Sequence, residues 1–158
     1  MDDQHREYDE YAGFWLRFVA YLIDGIILNI IVYFMMFIMG IFTLGPIMLM
    51  DEEPSFGNLV SLGSAFFSMI TLAIVASWLY YALQEASVHQ ATLGKRVLRL
   101  YVIMENGDKV NFTQASIRYF GKILSGLILM VGYLMAGFTE KKQALHDMIA
   151  RTLVMKQS

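Results

Sequence analysis

The chain has 158 residues, a formal net charge of −2, no cysteine and two prolines. Apolar residues make up 57% and charged residues 16%, with mean hydropathy +0.51, too greasy for an ordinary soluble domain. Disorder is excluded by the apolar content, a disulfide scaffold or cysteine-based zinc site by the lack of Cys, and near-neutral charge leaves no footprint for nucleic acid. What remains is a small integral membrane protein.

The first ten residues, MDDQHREYDE, are acidic and lead into a very long apolar run, so no cleaved secretory signal is expected. Between Phe18 and Met50 the only charge is Asp24. As one helix this run would measure about 50 Å at ~1.5 Å per residue, against a hydrocarbon core of roughly 30 Å. Gly40, Gly45 and Pro46 are the natural stops. The first span is placed at about 15–40, with 41–50 as an apolar shoulder. An acidic loop, MLMDEEPSFGN, follows, and then an uncharged run from Pro54 to Gln84. A second span is placed there, at about 59–83. Ser61, Ser64, Ser68 and Thr71 form a stripe along it that suits close helix packing and weak interhelical hydrogen bonds. Trp78, Tyr80 and Tyr81 suit an interfacial aromatic belt.

From Glu85 to Arg118 the chain is basic and rich in turn residues. VLRLYVI, ENGD and KVNF read as a β-hairpin, with Asn106-Gly107 in a type I′ turn. Thr113 is the expected cap of the helix that follows. The sequon at Asn111 is discounted, since the loop reads as cytoplasmic. The third apolar run, Gly121 to Phe138, has basic residues on both flanks: Arg118 and Lys122 before it, Lys141, Lys142 and Arg151 after it. The positive-inside rule places the acidic loop outside, with the basic loop and the N-terminus inside. A re-entrant helical hairpin at about 119–138 keeps both basic flanks inside; a plain third span is the alternative. The expected fold is an all-α membrane protein with two full spans, this third apolar segment and a small cytoplasmic β-hairpin. It forms a single domain, residues 1–158, in the cell membrane.

Charged residues at membrane depth carry the functional argument. Arg17 and Asp24 are seven residues apart, two helical turns, so they share a face with Tyr21 between them, about 10 Å apart along the axis. An unpaired Asp near the bilayer centre costs on the order of 2.5–3.5 kcal/mol, so Asp24 is expected to face a partner inside the bundle. Asp147 lies just past the last apolar run.

Arg17, Asp24 and Asp147, in YAGFWLRFVAYLID and ALHDMIARTLVM, resemble the RDD family of bacterial and archaeal membrane proteins. QATLGKRVLRLYVI, with Gln90, Thr92, Gly94 and Lys95, resembles that family's polar loop motif, and Arg118 its following arginine. Leu93 stands where relatives often carry proline. The resemblance covers about residues 10–155. It implies a compact membrane domain, and for some members sodium/proton antiport. In that scheme Asp24 would alternate between a proton and Na+ or another monovalent cation, with Asn29 lending a neutral oxygen and Arg17 competing for the carboxylate. Two or three spans hardly enclose a pathway, so such a transporter would act as a homo-oligomer. The competing expectation is a non-transporting scaffold in which Arg17, Asp24 and Asp147 form an ion-pair lock.

The remaining candidates are weaker. His89 and His146 lack metal-ligand spacing, and Gly94-Lys95 lacks the first glycine of a phosphate loop, so no metal or cofactor is expected. Lys95, Arg96 and Arg99 suit anionic headgroups. No serine has an evident base, so no enzyme is expected.

Overall fold

The computed structural model describes residues 10–49, 55–127 and 131–157. The acidic leader, the acidic residues at 51–53 and the middle of the third apolar run lie outside them. The order of elements is β1 (Glu10–Tyr11), α1 (Phe14–Met48), α2 (Phe56–Glu85), α3 (Leu93–Val97), β2 (Leu100–Met104), α4 (Phe112–Leu127), α5 (Val131–Leu134), a 3₁₀ turn (Met135–Gly137), α6 (Leu145–Ile149) and β3 (Thr152–Lys156). The described residues contain two helices long and apolar enough to cross a membrane, α1 and α2, with mean hydropathies of 2.4 and 2.1.

α1 does not stop at Gly40 or Gly45, and Pro46 sits inside it. An interior glycine costs a helix only about 1 kcal/mol relative to alanine, so neither Gly40 nor Gly45 ends this one. Pro46 falls two residues before the end, where its missing N–H removes a single bond of the last turn. α2 likewise runs past the expected boundary to Glu85.

The chain forms two units. One comprises residues 26–77, which hold most of α1 and α2. Its surface is apolar, with Phe34, Phe37, Phe42 and Phe67 all well exposed. The hydroxyls of Ser64 and Thr71, expected to reach a neighbouring helix, instead donate to carbonyls of their own helix, at Ser61 and Phe67 (2.8 and 2.9 Å).

The other unit comprises the chain up to Gly25 and everything from Trp78 onward. An antiparallel sheet of order β1-β3-β2 forms one part of it, with Val102 opposite Val154 and Glu10 opposite Lys156. The expected hairpin is only partly there. The turn after β2 closes with Met104 N–H donating to Asp108 and a lone bridge from Ile103 to Lys109. Only Gly107 has positive φ (+86°), so the turn is not type I′. The partner of β2 is β3, whose Leu153 and Val154 give it an apolar, buried ladder that KVNF does not offer. Asn111, not Thr113, caps α4 by accepting from Gln114 N–H (3.0 Å).

The third apolar run is not one helix. α4 ends at Leu127, and α5 returns along it: Tyr133 Oη donates to the Lys122 carbonyl (3.1 Å). Gly132 packs so closely on Ser125 that a Cβ would stand 2.8 Å from the serine Cβ. The junction of α4 and α5, at 128–130, lies outside the described residues.

α4 is polar inside and apolar outside. Arg118 and Ser125 are buried on one face, while Ile117, Phe120, Ile123 and Leu124 are exposed on the other. The core it helps form is small-residue and aliphatic: Ala12, Ala20, Ala82, Leu100, Val102, Val110, Ala115 and Val154.

Candidate functional site

The buried charges of the sheet-bearing unit form two carboxylate centres and a third, separate carboxylate. At the first centre, Glu85 ends α2 and is 1% exposed. Lys95 Nζ donates to its Oε1 at 2.6 Å, while Lys122 Nζ and Arg118 Nη1 each stand 3.6 Å away. Lys122 also sits 4.1 Å over the Tyr81 ring. Burial, and then the neighbouring Arg118 charge, lower the Lys95 ammonium to about 7 against the pull of Glu85.

The second centre is Asp147, fully buried in the first turn of α6. Its Oδ2 accepts from Arg17 Nη1 and from Ala144 N–H (3.0 Å), the latter helping to cap α6. Its Oδ1 pairs with Arg118 Nη2 (2.6 Å) and lies 3.4 Å from His146 Nε2. Burial alone would raise this carboxyl; Arg118 and Arg17 overrule it and hold it well below the usual range. His146 is lowered to about 3 by burial and by Arg118, so it is neutral at physiological pH. Arg118 joins the two centres through opposite ends of its guanidinium.

Asp24 is the separate carboxylate, 1% exposed. Tyr80 Oη and Gly94 N–H donate to its Oδ1, both at 2.8 Å, and Thr92 Oγ1 donates to its Oδ2 at 2.6 Å. The Thr92 hydroxyl also accepts from Lys95 N–H and so caps α3. Gly94 is required by closeness: a Cβ there would collide with the Ala20 carbonyl and stand 2.9 Å from Asp24 Cγ. Gln90, in a left-handed conformation (φ 52°), donates from Nε2 to the Val102 carbonyl and ties this loop to β2.

Arg17, Asp24, Gln90, Thr92, Gly94, Lys95, Arg118 and Asp147 all belong to the sheet-bearing unit, with pairings other than those expected. Arg17 turns back, through Nε to the Ala12 carbonyl (2.9 Å) and through Nη1 to Asp147, rather than along the helix to Asp24. Tyr21, expected between them on that face, is largely exposed. Lys95 is buried on Glu85 instead of facing headgroups; Arg96 and Arg99 are the exposed basic residues of that loop. Asn29 stands further along α1, in the other unit, and is exposed. The tyrosines and tryptophan of the expected belt turn inward: Trp78 Nε1 donates to Ser116 (3.0 Å), Tyr80 holds Asp24, and Tyr81 is buried under Lys122. Glu85 is the residue that sequence reasoning misses. Its signal is its place as the first charge after an uncharged run of some thirty residues.

A pair of membrane-length apolar helices joined to a unit whose interior is ionic defines a helical membrane protein with a charge-pinned core. The chain belongs to the RDD family, whose model matches residues 11–151. It is 44% identical over 148 residues to the Bacillus subtilis (strain 168) "Uncharacterized protein YxaI", covering 91% of this chain and 96% of that one. It is 28% identical over 153 residues to the "Uncharacterized membrane protein YteJ" of the same organism, covering 93% and 82%. No solved structure matches it.

Proposed function

We propose that this protein is a non-transporting membrane scaffold or accessory protein in which the buried charges are a structural lock. One observation carries the reading: Asp24 is closed off, with both oxygens taken by Tyr80, Thr92 and Gly94, while Arg17 is committed to Asp147. Depth supports it as well. With α1 running from Phe14 to Met48, the helix midpoint falls near Ile31, about 10 Å from Asp24. Exchange sites of secondary transporters sit near the midplane.

Charge supports an orientation. All 12 Lys and Arg residues lie outside 26–77, and that stretch carries Asp51, Glu52 and Glu53. By the positive-inside rule the N-terminus and the sheet-bearing unit face the cytoplasm across the cell membrane. The α4–α5 hairpin enters the same leaflet from that side, with Ile117, Phe120 and Leu124 toward lipid.

A second reading, exchange of Na+ or another monovalent cation for protons by a homo-oligomer, is favoured by a different observation. Among the described residues no cationic side chain pairs with Asp24; its donors are two hydroxyls and an amide. The test is a sodium- and pH-jump fluorescence assay on the protein in sealed liposomes. The scaffold reading expects no cation-driven proton movement from folded wild type. Movement that vanishes in a folded Asp24→Asn variant and persists in Tyr80→Phe would replace it with the second reading.

A further inference from the structure

We propose that a pocket at the start of α1 binds an anionic phospholipid, with the lipid phosphate on Lys142 and an acyl chain against Trp15 and Phe138. The pocket has a volume of about 390 Å³. It is lined by Phe14 and Trp15 from α1, by Leu134, Ala136 and Phe138 from the segment that begins with α5, and by Lys142. All belong to the sheet-bearing unit.

Three observations identify the occupant. First, the walls are apolar and lie outward: Trp15 is 74% exposed and Phe138 89%. Trp15 is the second residue of a membrane-length helix, the level at which aromatic rings meet the headgroup boundary. Second, the polar component is cationic. Among the described residues no carboxylate pairs with Lys142, and Lys141 beside it is exposed. Lys142 is the charged residue of the lining, and exposed Lys141 and Glu140, beside it in sequence, cancel each other. A phosphodiester with no compensating cation complements that lysine, whereas a choline headgroup presents its own cation to it. Third, the lysine is held in place. Lys142 sits at φ +48°, with its N–H on the Thr139 carbonyl (3.0 Å). Thr139 Oγ1 in turn accepts from Gln143 N–H at 2.7 Å, and Gln143 Nε2 is anchored to Glu105 and to the Thr152 carbonyl. Lys142 is thus a pocket-lining lysine whose backbone is fixed by a closed turn. The inference needs α1 in a membrane but does not depend on whether the protein transports anything.

The chain has two tryptophans, so Trp78→Phe leaves Trp15 as the sole indole emitter. Full-length protein is placed in phosphatidylcholine vesicles holding one-tenth brominated phosphatidylglycerol or one-tenth brominated phosphatidylcholine. One effective lysine near the surface implies about fivefold stronger occupancy of the anionic lipid, hence markedly deeper quenching by it. Lys141→Gln with Lys142→Asn is expected to make the two lipids quench alike; asparagine tolerates the left-handed backbone at 142. Equal quenching in the parent overturns the proposal, and so does a preference that survives the double variant. Suppression of the preference by millimolar inorganic phosphate at constant ionic strength also overturns it, in favour of a free-anion site. Should Trp78→Phe fail to fold, native mass spectrometry of wild type from mixed-lipid nanodiscs decides. Retention of phosphatidylglycerol over phosphatidylcholine by about fivefold, lost in the double variant, supports the site; equal retention removes it.

Discussion

The pairing of Arg17 with Asp147 rather than Asp24 is open to a direct test by two double-mutant cycles that share Arg17→Met. Asp147 is fully buried and the Arg17 side chain 12% exposed, so the bond between them is poorly screened. Removing Arg17 does not orphan Asp147, which keeps Arg118 at 2.6 Å and the Ala144 N–H at 3.0 Å. The loss is therefore one charge-assisted hydrogen bond, about 1.5–3 kcal/mol, and not the ~3–5 kcal/mol of an abandoned buried charge. The bond from Arg17 Nε to the Ala12 carbonyl is lost in every protein carrying Arg17→Met and cancels from each cycle. The expected coupling is about 1.5–3 kcal/mol between Arg17→Met and Asp147→Asn, and within ~0.5 kcal/mol of zero between Arg17→Met and Asp24→Asn. Denaturant unfolding in mixed micelles reads both. A 17–24 coupling as large as the 17–147 coupling would refute the assignment and return Asp24 to the cluster.

Other expectations follow from the same geometry. Gly94→Ala drives a methyl into the Ala20 carbonyl and breaks the amide bond to Asp24; it should cost at least the ~3 kcal/mol upper end of ordinary overpacking. Gly45→Ala, with nothing within 4 Å of the new methyl, should leave thermal unfolding in detergent unchanged or slightly raised. Glu85→Gln leaves Lys95, Lys122 and Arg118 facing a neutral group and should cost about 3–5 kcal/mol, partly recovered by adding Lys95→Met. Acid should unfold the protein in two stages. The folded pKa of His146 is about 3 against 6.5 unfolded, and that of Asp147 lies below its unfolded 3.8. In both cases the unfolded chain binds more protons, so stability falls with pH, from about 6.5 through His146 and below about 4 through Asp147. His146→Gln should remove the first stage and keep the second; a melting profile flat down to pH 4 in wild type would contradict the burial of His146.

The two membrane helices are legible in the sequence because an uncharged run longer than 20 residues has few alternatives. Helix ends are not legible: Gly40 and Gly45 weaken a helix by about 1 kcal/mol each without ending it, and Pro46, two residues from the end, removes a single bond of the last turn. The β2–β3 ladder joins residues some fifty positions apart, and nothing local in VLRLYVI announces TLVMK as its partner. Arg17, Asp24 and Asp147 stand out as residues, but their pairing is tertiary. Spacing along α1 suggests a 17–24 contact. The observed one depends on where α6 arrives, and on Thr92 and Gly94 reaching Asp24 first.

These pairings follow from the solvent. Between helices immersed in lipid, apolar side chains gain nothing by leaving their surroundings, so burial of hydrocarbon cannot select one packing over another. The polar buried face and apolar outer face of α4 reflect this within the sheet-bearing unit. Its fully buried large side chains include Arg118, Glu85, Asp24, Asp147 and Thr92, while its apolar core leans on alanine and valine. On α4 the usual pattern is reversed, with Arg118 and Ser125 inside and Phe120 and Leu124 outside. Directional, charge-assisted bonds then supply what hydrophobic packing cannot, a unique register for α3, α4 and α6 against the start of α1. It follows that exposed apolar positions such as Phe120 should accept other apolar residues with little change in stability. Even a near-isosteric change at a core charge, such as Asp147→Asn, should cost several times more stability than such an apolar exchange. That order of sensitivity is the reverse of the order in a water-soluble domain.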